Sequence, residues 1–208
     1  MKKSRQLFVL VLLCLSLSAP SAWAGSFLKS NINGQAFAWK GQVILNAEQG
    51  ALKEGVYDHE ASLKLVEEAF HQWLSVPGVD LDFVWGPQLS DGGNTTRTNY
   101  REFYDSSLHA CYDDDEDTEC LSPIIFDEDG SIIEDLFGSC TQFSTMGVAS
   151  FKEISRQDIG EEATIIKKAY AIFSGACIAP VVEKEGCPPC ERILDAEDVK
   201  SLITHEAG

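Results

Sequence analysis

The residues of this chain that could do chemistry stand at its last positions, in the stretch SLITHEAG from Ser201 to Gly208. His205 and Glu206 form the first half of the pattern H-E-x-x-H. On a helix, the two histidines of that pattern stand one turn apart and can bind one Zn²⁺, while the glutamate acts as general base toward a metal-activated water. The stretch therefore predicts a zinc site with His205 as metal ligand and Glu206 as base.

The chain contains the same His-Glu-Ala tripeptide a second time, beginning at His59. There the fourth residue after the histidine is Leu63, so this copy lacks the second ligand of the pattern. The tripeptide alone therefore carries little information. The alternative for His205 and Glu206 is a polar pair on the surface of a helix.

The element that must position this pair is a helix with a well-defined start. Asp195 and Asp198 have the spacing of a capping box, and the following residues predict a helix from near Ala196 that still runs at Gly208. Its apolar stripe consists of Val199, Leu202 and Ile203. An end in mid-helix leaves the last carbonyl groups without partners. We therefore expect the sequence to be a fragment, cut inside its own motif.

The rest of the chain predicts a mixed α and β fold. Helices are expected from Asp58, as N-cap, to about Leu74, and from Ser131 to Gly138. The first of them has one apolar face made of Leu63, Val66, Phe70 and Trp73. A strand or a strand pair is expected at 36–45, and strands at 79–85, 123–126, 146–154 and 164–173. The fold class is therefore α+β, with the last helix packed on a sheet.

Residues 1–24 form a predicted secretory signal peptide, which leaves 25–208 as one domain. Lys2, Lys3 and Arg5 precede an apolar run too short to span a membrane, and Ala22-Trp23-Ala24 is a cleavage pattern. We expect a secreted protein without a membrane span, either extracellular or periplasmic. Without the three basic leader residues, 13 Lys and Arg face 33 Asp and Glu, a net charge of −20. Such a charge repels nucleic acid.

Six cysteines follow the leader, and an even number in an exported chain predicts disulfides. Their pairing is open, although Cys111 and Cys120 are the easiest local closure. Cys187-Pro-Pro-Cys190 could be a redox pair, but no strand and helix flank it as a redox site requires. A structural role for these two cysteines is expected instead.

At this point the chain resembles a family. The stretch DAEDVKSLITHEAG, from Asp195 to Gly208, is similar to the start of the active-site helix of matrixin-type metzincins, whose full signature is H-E-x-x-H-x-x-G-x-x-H. Weaker similarities follow the right order upstream, in VEEAFHQWLSVPGVDLDFVW (66–85), IIFDEDGSIIEDLFG (124–138), MGVASF (146–151) and ATIIKKAYAIFSG (163–175). Together they cover most of the mature chain in outline.

The resemblance implies a twisted, mostly parallel sheet with one antiparallel edge strand, backed by helices, and a zinc endopeptidase acting on proteins or peptides. Residues 146–151 would be that edge strand, where a substrate chain can add as a further strand. His205 would be the first zinc ligand and Glu206 the base. The other two histidine ligands would lie beyond Gly208, so residues 25–208 would be the N-terminal part of the catalytic domain.

The chain also departs from that family. Val148-Ala149-Ser150 contains no histidine for a structural zinc, and no cysteine-switch propeptide follows the leader. Asp127, Asp129 and Asp135, or the run 113–117, could bind Ca²⁺ through carboxylate oxygens, although a solvated acidic turn is the alternative. The sequence carries no indication of oligomeric state.

Two other classes of protein remain as alternatives to the peptidase. One is a secreted, disulfide-stapled binding module in which the last helix is purely structural. The other is a thiol-disulfide protein that uses Cys187 and Cys190. A histidine four places after His205, followed at intervals of three by glycine and histidine, would decide for the peptidase.

Overall fold

The computed structural model describes residues 36–39, 41–77, 79, 81–89, 95–96, 98–103, 122–154 and 163–207. The predicted leader, the predicted closure between Cys111 and Cys120 and the acidic run 113–117 lie outside these residues. No helix of the described part is long and apolar enough to cross a membrane.

The described residues include six strands and three α-helices, besides a helical stretch at 100–103, in an order that matches the α+β prediction. The strands are β1 (Ala36–Trp39), β2 (Gly41–Ala47), β3 (Leu81–Trp85), β4 (Pro123–Asp127), β5 (Gly147–Ile154) and β6 (Ala163–Ser174). The helices are α1 (His59–Leu74), α2 (Ser131–Phe137) and α3 (Ala196–Ala207), with a short 3₁₀ turn at Thr141–Phe143.

The strands form one mostly parallel sheet with an antiparallel edge. The order is β3, β2, β4, β6, and each neighbouring pair is parallel, while β1 pairs in parallel with the start of β6. β5 pairs with β6 antiparallel. Ala171, Ile172 and Phe173 pair with β4 and with β5 at the same time, so β5 lies on the outer side of β6. Among the described residues, no strand pairs with the other side of β5.

Each face of the sheet has its own apolar core, because successive side chains of a strand point to opposite faces. The face covered by α1 and α3 receives Ile124, Phe126, Ala171 and Phe173. The face covered by α2 receives Ile125 and Ile172, which pack with Ile132, Ile133 and Tyr100. The central strands are therefore buried on both sides, as parallel sheets generally are.

The ends of α1 agree with the sequence prediction, but the burial of one of its apolar residues does not. The side chain of Asp58 accepts a hydrogen bond from the N–H of Ala61 and caps the helix, as predicted. Val66 is fully buried and Phe70 is 9% exposed, whereas Trp73, predicted on the same apolar face, is 38% exposed. Trp73 lies in the last turn of α1, where its indole contacts the end of α3 instead of the core.

A fully buried carboxylate, that of Glu48, ties three segments together just after β2. Its oxygens accept hydrogen bonds from the N–H groups of Gly50 at 2.7 Å, Thr95 at 2.8 Å and Phe126 at 3.2 Å. Burial raises the pKa of Glu48, and these three amide donors act in the opposite direction. A side chain on Gly50 would meet this carboxylate at 2.5 Å, so the turn needs glycine for space.

A second buried carboxylate, that of Asp127, ends β4 and holds the first turn of α2. Its oxygens accept from the N–H groups of Ile132 at 3.1 Å and Ile133 at 2.9 Å, which satisfies donors that have no partner inside the helix. Burial raises the pKa of Asp127 to about 6, although both amides lower it.

This raised pKa predicts a pH-dependent stability. In the unfolded chain the pKa of Asp127 is near 3.8. Between pH 3.8 and about pH 6, the folded state therefore holds a proton that the unfolded state has lost. The free energy of unfolding therefore falls as the pH rises through that range, by at most about 3 kcal/mol at roughly 1.4 kcal/mol for each pKa unit. Asp127→Asn should remove this fall, measured by urea unfolding from pH 4 to 7.

The control is Asp82→Asn, a change at an exposed position of β3, which should keep the wild-type profile. Parallel profiles for the wild type and Asp127→Asn would contradict the assignment.

A candidate metal and general-base site on the last helix

The start of α3 is fixed by the capping box that the sequence predicts. The N–H of Asp198 donates to the side chain of Asp195 at 3.0 Å, and the N–H of Asp195 donates back to that of Asp198 at 3.3 Å. Arg192 forms an ion pair with Asp198 at 2.6 Å. These contacts set the residue at which the helix begins, and so the positions of all later side chains along it.

Two disulfides stabilise the loop that leads into α3. Cys177 pairs with Cys190, and Cys140 pairs with Cys187, so the two cysteines of the C-x-x-C stretch bond to other partners and not to each other. The N–H of Leu194 also donates to the carbonyl of Cys177 at 2.9 Å. The structure thus confirms the structural role predicted for Cys187 and Cys190.

α3 is held by its apolar stripe against the core. Val199 and Ile203 are fully buried, and Leu202 is partly buried beside them, as the pattern predicts. The helix packs against α1, β5 and β6. Because residues four apart lie on the same helix face, Glu206 lies over Leu202 and is directed toward β5.

Glu206 lies half-buried against the edge strand β5. A Cβ atom on Gly147 would make ordinary contacts, 3.4 Å from Cγ of Glu206 and 3.5 Å from Cδ1 of Leu202, so both side chains pack directly beside this glycine. The carboxylate accepts a hydrogen bond from the N–H of Ala149. Burial raises the pKa of Glu206, while the charge of His205 and this amide lower it.

The amide that holds Glu206 belongs to the open edge of the sheet. The N–H of Ser174 donates to the carbonyl of Met146, just before β5, so in the regular first part of the strand the residues that bond β6 are Val148 and Ser150. Ala149 falls between them, and its N–H points away from β6. The carboxylate of Glu206 therefore lies at the edge where an extended chain could add to β5.

His205 is exposed on α3, next to the half-buried Glu206. The pair therefore has one side chain in solvent and the other held against a strand. The other copy of the tripeptide is different, because Nδ1 of His59 lies 3.0 Å from the carbonyl oxygen of Gly50 and Glu60 is exposed in the first turn of α1. His71, also on α1, is exposed.

The three aspartates considered for Ca²⁺ have separate protein partners. Asp127 bonds the amides of α2, Asp129 accepts from the N–H of Ser131 at 2.9 Å, and Asp135 accepts from the hydroxyl of Tyr100 at 2.9 Å. Within the described residues, no group of three or more His, Cys, Asp or Glu side chains could hold a metal ion.

Comparison of the chain with models of known protein families, with characterised proteins and with solved structures gives no match. The candidate site therefore depends on the sequence pattern and on the geometry around α3.

Two parts of the site were not predicted from the sequence, namely Gly147 and the N–H of Ala149. A glycine inside a strand often marks a close approach of another group, so Gly147 carried a signal that could have been used. Ala149 contributes its backbone N–H, and the direction of a backbone N–H depends on strand pairing and not on residue type.

The space at Gly147 can be tested with two substitutions. Gly147→Ala should be tolerated, because its Cβ would make ordinary contacts of 3.4 to 3.5 Å and the chain gains rigidity. Gly147→Val should destabilise the protein by about 1 to 3 kcal/mol through overpacking and displace Glu206. The exposed carboxyl should then titrate closer to its usual pKa in ¹³C NMR. An unshifted Glu206 titration in the valine variant would contradict this geometry.

The coupling within the pair can also be measured. His205→Gln removes a positive charge that lowers the pKa of Glu206, so that pKa should rise further. The measurement is the pH titration of the Glu206 carboxyl carbon by NMR. His71→Gln, at an exposed position of α1, is the control and should leave the titration unchanged. A lower pKa in the His205→Gln variant would show that the two side chains are not coupled in this way.

Proposed function

We propose that this chain belongs to a secreted zinc-dependent endopeptidase of matrixin type, with His205 as the first zinc ligand and Glu206 as the general base. The observation that supports the proposal is the different environment of two adjacent residues. His205 is exposed, whereas Glu206 is half-buried and bonded to an edge-strand amide. A polar pair that served only to solvate a helix would have no reason to fix its carboxylate in this way.

The residues present fit one part of a catalytic zinc site. Such a site uses three protein ligands, and an imidazole is among the preferred donors. In the described part of the chain His205 supplies one, and no three-residue ligand cluster is found. The proposal therefore requires two further histidines from residues that follow Gly208 in the parent protein. When bound, zinc would supply Lewis-acid chemistry, polarising a peptide carbonyl and making water more acidic.

Glu206 supplies the proton transfers. A general base works best when its pKa lies near the working pH, and burial moves the pKa of Glu206 upward from its usual value. Its carboxylate can take a proton from the attacking water and return it to the leaving amine. The N–H of Ala149 keeps the carboxylate in one place during both transfers.

The edge of β5 supplies the binding surface for the substrate. Both backbone groups of Gly147 and the carbonyl of Ala149 are directed to the open side of the strand, since they alternate with those that bond β6, while the N–H of Ala149 is used by Glu206. An extended peptide can pair with such an edge through main-chain hydrogen bonds. Its scissile bond would then lie beside Glu206.

The test starts with the parent gene. The residue after Gly208 should be histidine, with glycine and then histidine following at intervals of three. The protein that contains these residues should bind one catalytic zinc, measured by metal analysis, and cleave an unfolded protein substrate. Glu206→Gln should lower kcat by at least about 100-fold and retain zinc, because it removes the base but no ligand.

Glu60→Gln is the matched control, since it alters the other copy of the tripeptide and should leave kcat unchanged. The 208-residue chain itself should cleave nothing, because it offers one of three ligands. A different residue after Gly208 would overturn the proposal and favour the alternative, a disulfide-stapled binding module. Cleavage that persists in Glu206→Gln would remove Glu206 from the mechanism.

A further inference from the structure

α1 contacts α3 through a polar edge as well as through the apolar core. Nζ of Lys200 donates to the side chain of Glu68 at 2.9 Å. One turn further along both helices, the hydroxyl of Thr204 lies 3.4 Å from Oε1 of Gln72. The indole Nε1–H of Trp73 donates to the carbonyl oxygen of Thr204 at 2.8 Å. Two of these three contacts of α1 thus reach Thr204, the residue directly before His205.

The Trp73 contact differs from the other two because it acts on the backbone. The indole supplies a donor to the peptide group that joins Thr204 to His205. A fixed peptide plane at this point limits the directions in which the His205 side chain can leave the helix.

Burial alone does not explain Trp73. The residue is 38% exposed and lies at the end of α1, where a smaller side chain would also fit the helix pattern. Trp85 offers a comparison, because its indole Nε1–H also bonds a residue of α1, the carboxylate of Glu67, at 2.8 Å. Trp85 is on β3 and has no contact of this kind with α3. The two indoles therefore have the same donor chemistry but act on different helices.

We propose that Trp73 is a positioning residue of the candidate site, whose indole N–H fixes the Thr204 carbonyl and thereby orients the His205 imidazole. The significance for zinc rests on the function proposed above, but the contact and its effect on His205 do not. The sequence pattern assigns Trp73 only to an apolar face. In the structure it is the polar Nε1–H of Trp73 that contacts α3.

The test uses NMR on the 208-residue chain and the pair Trp73→Phe and Trp85→Phe. Trp73→Phe keeps an aromatic ring and removes the donor. It should shift the Thr204 carbonyl ¹³C resonance, and amide exchange of Glu206 and Ala207 should rise about five- to tenfold, as expected for the loss of one hydrogen bond. The His205 side chain should change from one χ1 rotamer to an average over several.

Trp85→Phe should leave all three signals of the last turn unchanged, even if it lowers overall stability. Equal effects of the two variants on His205 would mean that Trp73 acts only through general stability, which would overturn the proposal. An unshifted Thr204 carbonyl in Trp73→Phe would do the same, as would an indole proton of Trp73 that exchanges as fast as that of a solvated tryptophan. None of these results depends on zinc, so a failed peptidase proposal would not alter them.

Discussion

The complete burial of Val199 and Ile203 is the interaction on which the candidate site depends. These side chains hold α3 against α1 and the sheet, and burying two aliphatic residues of this size contributes about 3 to 6 kcal/mol. A single hydrogen bond contributes only about 1 kcal/mol. Apolar packing therefore keeps the helix in place, while the polar contacts determine its rotation and its position along α1. The direction of Glu206 toward β5 follows from both.

Three of the described carboxylates, buried to different degrees, have a raised pKa and are stabilised by the same means. Glu48, Asp127 and Glu206 all have raised pKa values because of burial, and each accepts hydrogen bonds from backbone amides. Glu48 and Asp127 are almost completely buried, and two or three amides occupy their oxygens. Glu206 is only half-buried and has one such amide, that of Ala149, so part of its carboxylate can still meet water or substrate. The same chemistry is therefore structural at two positions, and at the third it is the basis of the proton transfer that we propose.

The local elements were predictable because their signals are local. Asp58 and the pair Asp195 and Asp198 mark helix starts through side-chain hydrogen bonds that span three residues, and the structure contains these bonds. The alternating and helical apolar patterns likewise predicted the strands and helices to within a few residues. The prediction that Trp73 belongs to the buried face of α1 was wrong, because the helical pattern is also a local signal. A helical pattern gives the face of a residue but not how far along the helix the core extends.

The sequence by itself determined the helix starts, the mixed α and β class, and the adjacency of His205 and Glu206, since each depends on neighbours within a few residues. The tertiary structure alone decided the pairing of Cys140 with Cys187, 47 residues apart, and of Cys177 with Cys190, 13 residues apart, because the fold determines which thiols meet. It also decided the environment of Glu206. Glu206 is half-buried and has an amide partner because it contacts β5, which lies about 60 residues earlier in the chain. The two segments meet only because α3 is held against the sheet.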